Sequence, residues 1–238
     1  MNNKHQLVIL GAGYGCSEAL ALIKDLNTLR HEYELIAILD DNEKLHNTYV
    51  DGVLVEGSLS QWDKYPEGVK FVFAIGNFKN RLMRYDLLDK LSIPFERFHT
   101  LIHPNATIYN NVDIGKGCII HAGCVVHPQS KIGNHVVISA CSVVGVKNFI
   151  GDNALIAASV ITATDIKIGT NSFIGTGAII APETELGPGS MVAVGSVVFR
   201  DVLPGYCVIG NPAKVYNKDE VPRKIIEHWE SKKLGIVD

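Results

Sequence analysis

Residues 114–138 read IGKGCIIHAGCVVHPQSKIGNHVVI, and within them Ile114, Ile120, Val126, Ile132 and Ile138 stand six residues apart. The series extends both ways, through Ile102 and Ile108 before it and through Val144, Ile150, Ile156, Ile168, Ile174, Ile180, Leu186, Val192 and Val198 after it. Thr162 is the one interruption. A second period overlies the first: Ile114-Gly115, Ile132-Gly133, Ile150-Gly151, Ile168-Gly169 and Leu186-Gly187 recur every 18 residues. Neither the helical nor the strand period produces a strict spacing of six. A solenoid does, with three short strands per coil and one inward aliphatic on each. The positions two before each aliphatic are mostly small (Cys118, Cys124, Ser130, Ser142, Ala154, Ser172, Ala178), as a narrow prism interior requires.

Upstream of the repeat the pattern changes. Residues 6–10 (QLVIL) are an apolar run that breaks into Gly11-Ala12-Gly13-Tyr14-Gly15, and residues 17–29 carry apolar residues at helical spacing. A second strand, residues 34–40, ends in Asp40 and Asp41; a third, residues 70–75, ends at Gly76-Asn77 and leads into a helical stretch over 78–91. Strands alternating with helices imply a parallel sheet, with ligands beyond the carboxyl ends of its strands. The three turns should therefore share one crevice. Glycines after the first strand let the backbone approach an anion at a helix N-terminus, or simply serve a tight turn. An acidic residue after the second strand suits ribose hydroxyls or a base N–H.

The chain divides into residues 1–100, a Rossmann-like α/β domain, residues 101–215, an all-β solenoid, and residues 216–238, a tail whose stretch 219–233 has amphipathic helical spacing. The two flanking parts are expected to cap the solenoid at its two ends. A formal charge of -3 gives no electrostatic reason to expect nucleic acid. No run of 18 apolar residues suggests a membrane span, and the expected location is cytoplasmic. Cys16, Cys118, Cys124, Cys141 and Cys207 lack metal-type spacing and read as buried free thiols, so no metal is expected.

The Ile-Gly repeats, followed by Ile209-Gly210-Asn211-Pro212-Ala213-Lys214, resemble the hexapeptide acyltransferases, whose fold is a left-handed parallel β-helix. The glycine turn, Asp40-Asp41 and Gly76-Asn77 add a resemblance to the bacterial nucleotide-sugar N-acetyltransferases of the bacillosamine and sialic-acid type. What this implies is a homotrimer with active sites between subunits, acetyl-CoA in the groove between adjacent solenoids, and a UDP-linked amino sugar on the first domain. The product would serve surface glycan or O-antigen synthesis. By the same resemblance Asp40 and Asp41 bind uracil and ribose, and Gly11, Gly13, Gly76 and Asn77 line the nucleoside and diphosphate. Ala158, Thr176 and Gly195 match backbone positions along pantetheine, and Lys214 matches the basic residue near the CoA phosphates.

One departure bears on mechanism. The family places a histidine followed by an acid just before an Ile-Gly repeat, and here Val146 and Lys147 occupy those positions. Acyl transfer to an amine needs the neutral amine, and a base normally takes its proton. Three readings stand open. Another histidine substitutes, with His127 one coil before Gly145, and His121 and His135 as further options. Alternatively no protein base is used, and orientation together with oxyanion donors such as Asn148 supplies the acceleration. In the third reading the protein binds UDP-sugar or CoA without catalysis. A sugar O-acetyltransferase is the rival enzyme reading, and it would need a base more urgently than an amine acceptor does.

Overall fold

A computed structural model describes residues 4–233. In the first domain, β1 (His5–Leu10), β2 (Tyr33–Leu39), β3 (Tyr49–Val50), β4 (Val53–Gly57) and β5 (Lys70–Phe73) form one sheet in the order β3-β4-β2-β1-β5. All pairings are parallel except β3 with β4. Helices α1 (Tyr14–Arg30) and α2 (Met83–Leu91) follow β1 and β5. The expected helix over 78–91 is shorter at its start, because Asn77 and Asn80 close a turn: the Asn77 amide donates to Asn80 Oδ1 at 2.6 Å and Asn77 Oδ1 accepts from the Lys79 amide at 2.8 Å. The hairpin β3–β4 adds an antiparallel edge beyond the expected strands, turning at Asp51-Gly52, both at positive φ.

From residue 101 the six-residue period becomes a three-sided parallel β-helix. Residues 101–102, 119–120, 137–138, 155–156, 173–174 and 191–192 build the first face. Residues 107–108, 125–126, 143–144, 161–162, 179–180 and 197–198 build the second, and 113–114, 131–132, 149–150, 167–168 and 185–186 the third. Strands of successive coils pair in register 18 residues apart, as Val126 with Val144 and Ile132 with Ile150. The aliphatics of the series from Ile120 onward are buried in a single core cluster. The glycine after each third-face aliphatic is needed for coil-to-coil approach: a Cβ on Gly133 would lie 2.7 Å from the Asp152 backbone nitrogen.

The residue before each inward aliphatic points outward and differs by face. On the first face these are Leu101, Ile119, Val137, Leu155, Phe173 and Met191, and the first domain packs on those from Leu101 to Phe173, with Leu101 and Ile119 sharing one core with α1. On the third they are Asp113, Lys131, Phe149, Lys167 and Glu185. On the second they are Thr107, Val125, Val143, Ile161, Ile179 and Val197, and no described element of the chain covers them; Ile161 and Ile179 are exposed.

The expected end caps lie on the flanks instead. The first domain is clamped along the first face: Arg81 bonds to the Gly189 carbonyl and to Asp219, and Arg84 donates to the His135 carbonyl at 2.7 Å. After the last coil a hairpin, Tyr206–Gly210 with Ala213–Lys218, extends the first-face sheet. The tail helix α3 (Arg223–Lys233) lies against the third side, where Trp229 stacks on Phe149 and His228 bonds to Asp152 at 2.9 Å. Residues 234–238 of the expected tail fall outside the described residues. Four cysteines are buried thiols; Cys141 is exposed, because it occupies a left-handed corner (φ 61°) and not the inward small column.

Candidate functional site

Strand order reverses at β1, which pairs with β2 on one side and β5 on the other, so the carboxyl ends of these strands frame a crevice. It has a volume of about 490 Å³ and brings together Gly11, Gly13, Asp40, Asp41, Gly76 and Asn77. The three turns singled out in the sequence thus converge.

Their local chemistry separates them. Asp40 is occupied by the fold: its carboxylate accepts from the Ala12 amide at 2.7 Å and from the Asn42 amide at 2.8 Å, pinning the glycine turn to β2. Asp41 accepts from the Leu59 amide through Oδ1 at 2.9 Å and is the more exposed of the two, with Oδ2 open to a ligand. Gly76 is at φ +147°, a conformation that disfavours a side chain, and a Cβ there would also fall 2.5 Å from the Arg84 guanidinium of its own domain and 3.1 Å from Leu155 of the solenoid. Gly13 differs. It is the N-cap of α1 at φ -83°, and a Cβ there would meet nothing within 4 Å. Neither conformation nor packing within the chain explains glycine at this position, which leaves the helix N-terminus bare. The first turn of α1 carries no acidic residue, so its amides and dipole face the crevice, with the Asp40 carboxylate as the neighbouring negative charge.

A second cavity of about 220 Å³ adjoins this crevice; Tyr14, Gly15, Ala74, Ile75, Gly76 and Asn77 line both. Its far wall is the solenoid: Ile119, Val137, Leu155 and Phe173 of the first face, with His121, Ser139 and Ala157 at the edge between first and second faces. Arg84 forms part of the lining; its burial lowers the guanidinium to about 9, while the Ile75 and His135 carbonyls receive its N–H groups.

Ala158, Thr176 and Gly195 all lie on that same edge. Gly177 donates to the Ala158 carbonyl at 3.0 Å, and Gly195 to the Thr176 carbonyl at 2.9 Å, so successive coils stack there as a backbone rail. The Gly210 amide bonds to Ser196 Oγ at 3.1 Å, which ties the hairpin carrying the exposed Lys214 beside the upper end of the rail. The rail therefore runs from the cavity to Lys214. At ~4.8 Å per coil, His121 and Ala193 are about 19 Å apart along it.

Within one chain the expected catalytic residues lie away from these two cavities. Asn148 is buried within the solenoid: Nδ2 donates to Thr162 Oγ1 at 2.6 Å and Oδ1 accepts from the Ile166 amide at 2.9 Å. It belongs to the inward small column, and both ends of its amide are taken, so it supplies no oxyanion donor. His127 is one coil below Gly145 as expected, its amide bonded to the Val144 carbonyl at 2.9 Å. It stacks on Tyr109 at the edge between second and third faces, away from both cavities. Val146 shares that edge, and Lys147 pairs there with Asp165 at 2.7 Å. His135 is packed edge-on against Phe98 beneath the first domain, and burial lowers it to about 3. His121, named in the sequence only as an option, reaches the cavity.

The fold and these two cavities define a β-helix protein with a nucleotide-type α/β domain docked on one face. The PglD N-terminal domain family matches residues 6–88, the bacterial transferase hexapeptide family matches residues 98–128 and 114–145, and the succinyl-transferase hexapeptide repeat matches residues 165–200. Among solved structures, the acetyltransferase domain of PglB from Neisseria gonorrhoeae, in complex with acetyl coenzyme A, is 27% identical over 90% of this chain and 100% of its own, with a TM-score of 0.78. A His→Asn variant of perosamine N-acetyltransferase from Caulobacter crescentus, in complex with CoA and GDP-perosamine, is 25% identical over 90% of this chain and 97% of its own, with a TM-score of 0.77. WeeI from Acinetobacter baumannii, at 24% identity over 88% of this chain and 99% of its own and a TM-score of 0.68, shares the fold. No curated protein sequence matches the chain. Domain by domain the chain is similar to the hexapeptide-repeat acetyltransferases of nucleotide-sugar type, and it is an acyltransferase with a left-handed β-helix.

Proposed function

We propose that this protein transfers the acetyl group of acetyl-CoA to the amino group of a nucleotide-linked deoxyamino sugar, with UDP-2-acetamido-4-amino-2,4,6-trideoxyhexose as the acceptor. The observation that carries this reading is the junction of the two cavities: the strand-end crevice opens into the foot of the backbone rail. In this reading the diphosphate lies on the α1 N-terminus beside Gly11 and Gly13, and Asp41 accepts from the base or ribose. Asp40 holds the turn that shapes this pocket, and Gly76 and Asn77 wall it. The sugar amine reaches the second cavity. Acetyl-CoA runs along Ala158, Thr176 and Gly195 with its phosphates at Lys214, which delivers the thioester to that amine and makes positioning a large part of the acceleration. The exposed aliphatic row on the second face supports self-association as a homotrimer, and the solenoid of a second copy would close the outer side of the rail.

A GDP-linked sugar is the second reading, because the Caulobacter relative holds GDP-perosamine. A carboxylate in the position of Asp41 accepts an N–H from uracil or from guanine equally well. The test is release of free thiol from acetyl-CoA with a panel of UDP-, GDP- and dTDP-linked amino sugars, and with their hydroxy counterparts. Turnover is expected with a UDP-amino sugar and not with the hydroxy sugars. In the same assay Gly13→Ala should raise the acceptor KM roughly tenfold or more, about 1.4 kcal/mol, with little change in Tm, because a methyl there fits the empty protein but not the bound diphosphate. No thiol release with any amino sugar refutes the reading.

A further inference from the structure

Two histidines stand in the same column at the edge between first and second faces, one coil apart, and both face α1. His103 is closed: Nε2 meets Asp25 Oδ2 at 3.2 Å and Nδ1 accepts the Asn105 amide at 3.0 Å. His121, one coil above, is open. Its Nε2 is 3.9 Å from Glu18 Oε2, too long for a hydrogen bond but within ion-pair range, and its ring lines the cavity where the crevice meets the rail. The residue that holds the family's histidine position, Val146, is on a different edge and cannot accept a proton. Resting on the acetyl-transfer reading above, we propose that His121 is the general base of this enzyme and Glu18 the residue that positions it.

The surroundings suit the role. The groups facing His121 are Glu18 and Asp25 of α1, Tyr14 at its start, His103 on the coil below and Arg84 across the cavity. Burial, reinforced by the His103 charge, lowers His121 below the ordinary histidine value, so the ring is neutral near pH 7 and able to take a proton. With Nε2 turned to Glu18, Nδ1 is the nitrogen that acts. The lone pair of the neutral sugar amine bonds to the thioester carbonyl carbon, and His121 takes a proton from that nitrogen. The C–S bond then breaks, and the imidazolium returns its proton to the departing thiolate. The products are the amide and free CoA thiol, with no proton left on the enzyme.

The experiment measures kcat and KM from pH 5 to 9 on the full chain, for His121→Ala, His121→Gln, Glu18→Gln and His127→Ala, with CoA affinity by calorimetry as the check on folding. Both His121 variants should lose about 10²–10⁴ in kcat, keep CoA affinity and acceptor KM within a few-fold, and lack the acid limb of the wild-type profile. Glu18→Gln should keep most of the rate while the acid limb moves to lower pH, because removing the carboxylate disfavours the imidazolium. A His121→Ala rate within threefold of wild type with the acid limb in place overturns the assignment, and so does a loss confined to His127→Ala. Wild-type protein that releases no thiol with any amino sugar overturns the transfer reading, and the base falls with it.

Discussion

Thr162 is the only polar residue in the inward series, and its hydroxyl sits in a small polar knot within an aliphatic core. It accepts from Asn148 Nδ2 at 2.6 Å and from the Gly145 amide at 3.2 Å, and donates to the Val143 carbonyl at 3.2 Å. Asn148 in turn caps the Ile166 amide. The sequence exposed both residues without their connection: they are 14 apart, and nothing in a period of six marks two exceptions on different faces as partners. Asn148 looked like chemistry because it follows the family's catalytic position, yet its place in the small column already directed it inward. Removing its side chain should act on stability. Asn148→Ala strands the Ile166 amide and weakens the knot, costing about 1–3 kcal/mol. Thermal denaturation should show a Tm lower by several degrees while kcat of the folded enzyme stays within about twofold. A kcat collapse at unchanged Tm would return Asn148 to the active site.

Elements were legible to different degrees for one physical reason: periodicity reports which side of a segment is buried, and not what buries it. β1, β2, β5 and every solenoid coil could be read, because each has an inward row. The tail helix was readable as amphipathic, but its docking place was not. It lies on the third side because Phe149 offers Trp229 a stacking surface among charged neighbours, with Asp152 beneath to receive His228. Asp152 is pushed up by burial but held below the ordinary carboxylate range by the hydrogen bonds from His228 and the Asn134 amide, which outweigh it. A carboxyl lowered in the folded state adds stability that is present above its unfolded value and lost as pH falls through the folded one. α3 should therefore loosen only below about pH 4. In a Trp62→Phe background, Trp229 fluorescence should shift to the red in that acid window. Asp152→Asn should already show part of the shift at pH 7 and lose the acid transition. An acid transition that persists in Asp152→Asn would assign α3 docking to other groups.

At the scale of the whole molecule, the three faces of one prism have three fates that the inward pattern does not distinguish. The first face is largely covered by the α/β domain, and the third is charged and partly covered by α3. The second presents Val125, Val143, Ile161, Ile179 and Val197 to solvent, with Val194, Phe199 and Leu203 exposed nearby. A continuous apolar row of this kind is out of place on a monomer. On a cyclic assembly it is the contact surface. Two charges placed in it would be desolvated against their own copies, so Ile161→Lys with Ile179→Lys should convert the proposed trimer to monomers in light scattering at micromolar protein. The intramolecular core lies on the other side of these strands, so the monomer should keep its β-sheet circular dichroism. Its acceptor crevice, built within one chain, should still bind the nucleotide sugar with affinity near wild type, while acetyl-CoA binding, which the rail would share with a neighbouring solenoid, should weaken tenfold or more, about 1.4 kcal/mol. Monomers that bind acetyl-CoA as tightly as wild type would confine the donor site to one chain, and an unchanged oligomer would take the second face out of the interface.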